Sequence, residues 1–196
     1  MRRRELIRAC AALGAWHALS AHTPYRQWQV YRQRHLVIGT SRADGPSYAL
    51  GKRIALVLLE HLPKSSARVT RGPDPWRLAS LLTTSQLDVV LLTADDAAAL
   101  RDGRPPFEAF GPTEMRALAR LGSHLLVTRP DFPDRHAWLV AMTLMWHGDA
   151  LDAAVQIVAA GVVPAHPGAL AYASGAPEPT GPEVASEEAL PPDHVH

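Results

Sequence analysis

Short apolar runs alternate with longer amphipathic stretches along most of the chain, and this pattern predicts an α/β fold. The runs predict four strands, of which the first and third are buried: Leu36–Ile38, Ala67–Thr70, Leu87–Leu92 and His124–Arg129. Between them the apolar residues recur at helical spacing, and prolines stand where helices begin. Strands that alternate with helices imply right-handed βαβ units. We therefore expect a three-layer sandwich with a mostly parallel sheet of about four or five strands.

The second half of the chain shows a less regular pattern. Residues 104–123 indicate a loose connection that contains a short helix at Arg116–Arg120. A long helix is predicted from Pro133 to about Leu151, and helical spacing continues from Asp152 to Gly161. From residue 174 to residue 196 the chain is rich in Pro, Gly, Glu and Ser and has little to bury, which predicts a disordered tail.

Charge is unevenly distributed between the two ends. Residues 1–35 carry seven Arg and one Glu, whereas residues 174–196 carry five acidic residues and no Lys or Arg. The order of basic, apolar and small residues predicts an export signal at residues 1–21, in which Arg3–Ile7 resembles a twin-arginine signal. The alternative is an amphipathic helix on a cytoplasmic protein. Residues 22–35, with aromatic residues at a spacing of three, would be a linker or a packing segment.

These observations predict four regions and a periplasmic location. The regions are the export signal at 1–21, the segment at 22–35, a single α/β domain at 36–173 and the tail at 174–196. No stretch reaches the roughly 20 apolar residues that a membrane span needs. We therefore expect membrane contact only through a partner protein or an uncleaved leader.

Composition excludes several classes of function. The formal net charge is +1 and the Arg residues are scattered, so nucleic acid is not an expected partner. Cys10 is the only cysteine and lies in the predicted leader, which excludes disulfides and cysteine chemistry from the folded part. The ten histidines lack the spacing of a metal site. With no nucleophile elbow or paired carboxylates, we predict a non-enzymatic protein without a cofactor or metal.

The candidate ligand-binding residues share one property, because each follows a predicted strand or begins the next helix. In open parallel sheets these loops meet at one edge, where helix N-termini offer N–H groups and partial positive charge to carboxylates. Arg71 would add a two-pronged pair with a carboxylate. The alternative is that the hydroxyl and carboxylate groups only cap helices. The candidates are Thr40, Ser41, Ser47, Tyr48, Arg71, Thr93 and Asp95.

Several segments resemble the TAXI family of solute-binding proteins, the receptors of TRAP transporters. The resemblance covers about residues 36–173, and its most specific part is Pro164–Ala169 followed by Tyr172. It implies one lobe of a type 2 periplasmic-binding-protein-like fold that binds a solute. Family members have a second lobe inserted mid-sequence, whereas here Met115–Gly122 passes directly into the late strand. The matching segments are Gly39–Ser41 with Tyr48, Leu78–Ser80, Leu87–Val89, Thr93–Asp95, Leu125–Leu144 and Pro164–Ala169.

Two functional hypotheses follow from a single lobe with an open sheet edge. The first is a reduced periplasmic receptor that binds a small carboxylate at the strand ends and serves a membrane partner. The second is an accessory interaction subunit of a periplasmic complex, which has lost the ligand site and uses the exposed sheet edge and the aromatic segment 25–35 as its contact surface. Thr40, Tyr48 and Asp95 favour the first, and the missing lobe and Arg42 favour the second. A cytoplasmic sensor domain is a third possibility if residues 1–21 are not a leader.

Overall fold

The structure is a computed structural model that describes residues 35–180. The predicted export signal at 1–21 and almost all of the segment at 22–35 lie outside the described residues, as does the tail from residue 181 onward. The chain divides between His35 and Leu36, and the second unit contains every element described below. No helix within residues 35–180 is long and apolar enough to cross a membrane.

The described residues form six strands and five α-helices, which confirms an α/β fold. Three short 3₁₀ turns occur at Pro63–Ser65, Glu108–Phe110 and Gly148–Leu151. The strands are β1 (Val37–Ser41), β2 (Arg68–Gly72), β3 (Val89–Thr93), β4 (Arg116–Leu121), β5 (His124–Thr128) and β6 (Val155–Gln156). The helices are α1 (Gly45–His61), α2 (Pro75–Thr83), α3 (Ala94–Asp102), α4 (Asp134–Trp146) and α5 (Pro167–Ala173).

All six strands belong to one mixed sheet in the order β2-β1-β3-β5-β4-β6. The pairs β1–β2 and β1–β3 are parallel, as expected for βαβ units. The pairs β3–β5, β4–β5 and β4–β6 are antiparallel. Three of the five pairings are thus antiparallel, so the predictions of a mostly parallel sheet and of about four or five strands were wrong.

The main error lies at β4, which the sequence pattern predicts as a helix. Arg116 and Arg120 are four residues apart, as on one face of a helix, and alanine and leucine occupy the positions between them. In the structure this segment instead pairs with β5 through a two-residue connection, Gly122–Ser123. Gly122 has a φ of +60°, which glycine adopts without strain. Pairing with β5 therefore overrides the local helical pattern.

A second correction concerns residues 152–161, where a helix was predicted. The chain leaves α4 at Trp146, makes a short turn and forms β6, which pairs with Arg120 and Leu121 at the carboxyl end of β4. Residues 157–164 then form an irregular connection, after which Ala165 forms a parallel bridge with Ala117. The outer side of β4 is therefore covered by two separate short segments.

Two layers of buried apolar side chains lie on the two faces of the sheet. Alternate residues of one strand serve different layers, because Val89 and Leu91 pack towards α1 and α4 while Val90 and Leu92 pack towards α2 and α3. Helices therefore cover both faces. Residues 174–180 lie against α4, where the Trp138 indole N–H donates to the Ala176 carbonyl oxygen at 3.1 Å.

Candidate functional site

The carboxyl ends of β1 and β3 lie at a reversal of strand order. From β1 the chain crosses through α1 to β2 on one side, and then returns through α2 to β3 on the other side. In open α/β sheets the loops diverge at such a point, and ligands bind in the crevice that they leave. The loops after β1, β2 and β3 and the turn before β5 all meet at this edge.

Three of the predicted residues use their hydroxyl groups inside the protein. Thr40, Ser41 and Ser47 are buried. The Thr40 hydroxyl donates to the Thr70 carbonyl oxygen at 2.8 Å, which joins β1 to β2. Ser41 Oγ accepts from the Ala43 N–H at 3.1 Å. These hydroxyls therefore shape the edge and do not face solvent.

Ser47 makes the turn between β1 and α1 compact. Its Oγ accepts from the Ser41 N–H at 3.2 Å and lies 2.8 Å from the Asp44 carbonyl oxygen. The next loop is tied to this turn, because the Arg42 N–H donates to the Gly72 carbonyl oxygen at 2.9 Å. The loops after β1 and β2 thus form one connected surface.

Tyr48 and Arg71 are brought together on that surface. The Arg71 guanidinium carbon lies 4.7 Å from the centroid of the Tyr48 ring, and Lys52 Nζ lies 5.8 Å from the same centroid. Arg71 is exposed and has no carboxylate partner among the described residues. In contrast, Arg129 pairs with both Asp131 at 2.8 Å and Asp88 at 3.3 Å. Arg71 is therefore available to an external anion.

Thr93 and Asp95 lie one strand further along the edge. Thr93 caps α3, because its Oγ1 accepts from the Asp96 N–H at 3.1 Å and donates to the Asp96 carboxylate at 2.8 Å. Asp95 is exposed in the first turn of α3. Because β1 lies between β2 and β3, these two residues are separated from Arg71 by the width of one strand.

Sequence reasoning missed a hydrogen-bonded chain at this edge. Asp44 from the loop after β1 reaches over the end of β3 to His124, with 2.7 Å between its Oδ2 and the imidazole Nε2. The other imidazole nitrogen, Nδ1, lies 3.2 Å from Ser123 Oγ. His124 is buried and the Asp44 side chain is only 17% exposed. The pair therefore closes the crevice between β1 and β3.

A hydroxyl, an imidazole and a carboxylate that are linked in this order by hydrogen bonds are the parts of a nucleophilic triad. Here, however, the hydroxyl belongs to the residue directly before the histidine in a tight turn, and neither of two surface cavities is lined by Asp44, Ser123 or His124. One cavity, of about 40 Å³, lies between β4 and residues 157–163. The other, of about 460 Å³, lies between Pro112–Glu114 and Arg129–Asp131. The arrangement is thus suited to joining loops.

Neither cavity is lined by any of the seven predicted ligand-binding residues. Within residues 35–180, no group of three or more His, Cys, Asp or Glu side chains is placed to hold a metal ion. No protein-family model matches this chain, and no curated protein is significantly similar to it in sequence. Function must therefore be argued from the edge itself.

Proposed function

We propose that this chain is a non-enzymatic, periplasmic, solute-binding-like protein related to the TAXI receptors of TRAP transporters. Its sheet would be one lobe of a type 2 periplasmic-binding-protein-like fold. The ligand is a small carboxylate, bound on the surface where the loops after β1 and β2 join. The ligand contacts would come from Arg71 and Tyr48, while the buried hydroxyls of Thr40, Ser41 and Ser47 hold the loops in place.

The observation that carries this proposal is the position of Arg71. Its guanidinium stacks on the Tyr48 ring without a carboxylate partner among the described residues, so the protein fixes its orientation and leaves its hydrogen-bond donors free. A guanidinium held in this way can form two parallel hydrogen bonds to one carboxylate. The nearby Lys52 adds a second positive charge.

The reversal of strand order at β1 supports a ligand site at this end of the sheet, although not its exact position. Ligands of open α/β sheets bind outside the carboxyl ends of the strands at such reversals. Asp44 and His124 close the crevice between β1 and β3, so the proposed ligand would bind on the exposed surface formed by the joined loops after β1 and β2. A carboxylate bound on that surface would lie beside Arg71.

The alternative is an accessory interaction subunit of a periplasmic complex. It is favoured because neither of the two cavities described above is lined by the predicted residues, and small ligands usually need most of their surface buried to bind tightly. On this reading Arg71 and Tyr48 contact a protein surface.

A thermal-shift experiment on the full chain tests the first proposal. The protein is heated with a panel of amino acids and dicarboxylates, and the unfolding midpoint is measured for each. A ligand present at 100 times its dissociation constant stabilises the folded state by about 2.7 kcal/mol, which gives a clear shift. We expect at least one carboxylate to raise the midpoint.

Two substitutions localise the effect. Arg71→Ala should abolish the shift, because it removes the guanidinium that holds the ligand. Arg68→Ala is the matched control, since Arg68 is an exposed arginine on the same strand whose side chain points to the opposite face, and it should retain the shift. If no compound shifts the midpoint, the interaction subunit becomes the better explanation.

A further inference from the structure

Strand β2 is an edge of the sheet, and the main-chain N–H and C=O groups of alternate residues in it point away from β1. The Arg68 N–H donates to the Leu36 carbonyl oxygen at 2.9 Å, and the Gly72 carbonyl oxygen accepts from the Arg42 N–H at 2.9 Å. Residues 68, 70 and 72 therefore direct their main-chain groups to β1. Since successive residues of a strand alternate in this respect, Val69 and Arg71 direct their N–H and C=O groups outward.

No described residue pairs with this edge through main-chain hydrogen bonds. The main-chain groups of Val69 and Arg71 have no hydrogen-bond partner within residues 35–180. The opposite side of the sheet differs, because β6 and Ala165 both pair with β4 there. An uncovered edge strand is a ready template for another extended chain.

The charges along β2 decide which chain fits. Arg68 and Arg71 are exposed on the two faces of the strand, and Lys52 lies near the same Tyr48 ring as Arg71. None of these three cations has a carboxylate partner among the described residues. A second copy of β2 would add two more arginines to an edge that already carries three cations, and like charges close together on adjacent strands are unfavourable. An acidic strand would instead gain from each cation.

We propose that β2 is a docking edge for an extended, acidic segment of a partner protein. The segment adds to the sheet as a further strand, with its main chain bonded to Val69 and Arg71 and its carboxylates beside Arg68, Arg71 and Lys52. This inference goes beyond the proposed carboxylate site, because it depends on main-chain groups of Val69 that a small ligand at Tyr48 does not use.

Peptide binding to the full chain tests the inference. The probe is a fluorescent peptide of about ten residues in which Glu alternates with Val and Thr, the length of a long strand. The control peptide has Lys in place of every Glu. Anisotropy should show saturable binding of the acidic peptide, weakened by salt, and no binding of the basic one.

Substitutions at one position separate the main chain from the side chain. Val69→Pro removes the outward N–H but leaves the bonds to β1, and proline is tolerated at such edge positions. We expect it to weaken binding about tenfold. Val69→Ala removes most of the same side chain and keeps the N–H, so it should change affinity less than about twofold. Arg71→Glu keeps the main chain, reverses one charge and should weaken binding at least about tenfold.

Amide hydrogen exchange on the unaltered chain gives a readout that does not depend on whether a variant folds. The Val69 and Arg71 amides should exchange quickly in the free protein and become protected with the acidic peptide, while the Thr70 amide is slow throughout. Binding without this protection would mean simple electrostatic adhesion and would overturn the proposal. It is also overturned if the basic peptide binds equally well, or if protection arises without peptide from dimers of this chain.

Discussion

At the scale of single residues, Gly168 marks a very close contact between α5 and the start of α4. A Cβ atom at this position would lie 2.0 Å from the carbonyl oxygen of Asp134 and 2.8 Å from the carbonyl carbon. Both are main-chain atoms, which cannot rotate away as a side chain can. The Pro164–Ala169 motif, on which the family resemblance depends most, is therefore a helix junction in this structure.

Replacement of Gly168 by alanine should destabilise the protein. The added methyl group must push α5 away from α4, and overpacking of this kind costs about 3 kcal/mol. Chemical denaturation measures the change in the free energy of unfolding. Gly45→Ala is the matched control, because a Cβ atom there meets nothing within 4 Å and should leave stability nearly unchanged. Equal stability of both variants would show that α5 does not pack on α4 as described.

The neutral imidazole of His166 caps the start of α5. Its Nδ1 accepts from the Gly168 N–H at 3.2 Å, and its Nε2 lies 2.8 Å from the Phe132 carbonyl oxygen, to which it donates. Burial lowers the pKa of His166 below its usual value, although the Phe132 carbonyl and the Asp134 carboxylate oppose the shift. A proton on Nδ1 would also remove the acceptor that caps the helix.

The free energy of unfolding should therefore fall in mild acid. The unfolded chain, with an ordinary histidine pKa near 6.5, binds the proton more tightly than the folded chain. Stability from this residue is complete above about pH 6.5 and is lost as the pH falls towards the lower folded pKa. Denaturation curves across this range measure the loss.

The control for this prediction is His166→Asn, which keeps an acceptor at the cap but does not titrate. It should have a weaker pH dependence below about 6.5 than the unaltered protein. Any pH dependence that remains is expected from His136, whose pKa is lowered mainly by burial and also by the positive charge of Arg135. An identical slope in the two proteins would exclude His166 as the cause.

At the scale of elements, the Asp44–His124 pair joins the loop after β1 to the start of β5. The two residues are 80 positions apart in sequence, and the contact exists because β5 runs antiparallel to β3. Had the sheet been parallel, as the sequence pattern predicts, the start of this strand would lie at the opposite edge from Asp44. The error in strand direction is thus the reason that this part of the site was missed.

Loss of the Asp44–His124 pair should lower the free energy of unfolding. Asp44→Ala leaves the buried His124 nitrogen without its partner, and we expect a destabilisation of about 1–3 kcal/mol. A double-mutant cycle with His124→Ala isolates the coupling between the two side chains, measured by chemical denaturation. Ser123→Ala is the control, since it removes only the hydroxyl on the other imidazole nitrogen and should have a small effect. Additive effects of Asp44→Ala and His124→Ala would argue against the tie.

The elements that sequence predicts best are those with the strongest local patterns. The apolar run at β3 and the Asp74–Pro75 start of α2 are both found, and Asp74 accepts from the Arg77 N–H at 2.7 Å as an N-cap should. The strand β4 lacks such a pattern, and only its pairing with β5 makes it a strand. The two-residue Gly122–Ser123 connection between apolar runs is the local signal that could have revealed this hairpin.

For the candidate site, sequence identifies which residues follow strands but not which groups remain free. The Thr40 hydroxyl donates to Thr70 on the neighbouring strand, which no local pattern specifies, whereas the Ser47 hydroxyl bonds to Asp44 within its own turn. The contact between Arg71 and Tyr48 likewise depends on how closely α1 packs on β2. Burial and pairing are tertiary properties, so they appear only once the fold is known.

At the scale of the whole described unit, the β1–β3 region and the β4–β5 hairpin meet at one pair of strands. This is the antiparallel β3–β5 pair, whose residues are nearly all buried. Both layers of apolar side chains cross it, since each contains residues of β3 and of β5. Neither part can bury its apolar surface without the other, so the two form one core.

The irregular connection at residues 157–164 has a different consequence. The segment before it, β6, and the residue after it, Ala165, both pair with β4. Residues 158–162 are exposed. One side-chain tie reaches the connection, from Arg101 to the Val162 carbonyl oxygen. Each doubling of such a loop costs only about 0.6 kcal/mol. As the chain diverges, new sequence can therefore accumulate here while the strand pairings on both sides stay intact.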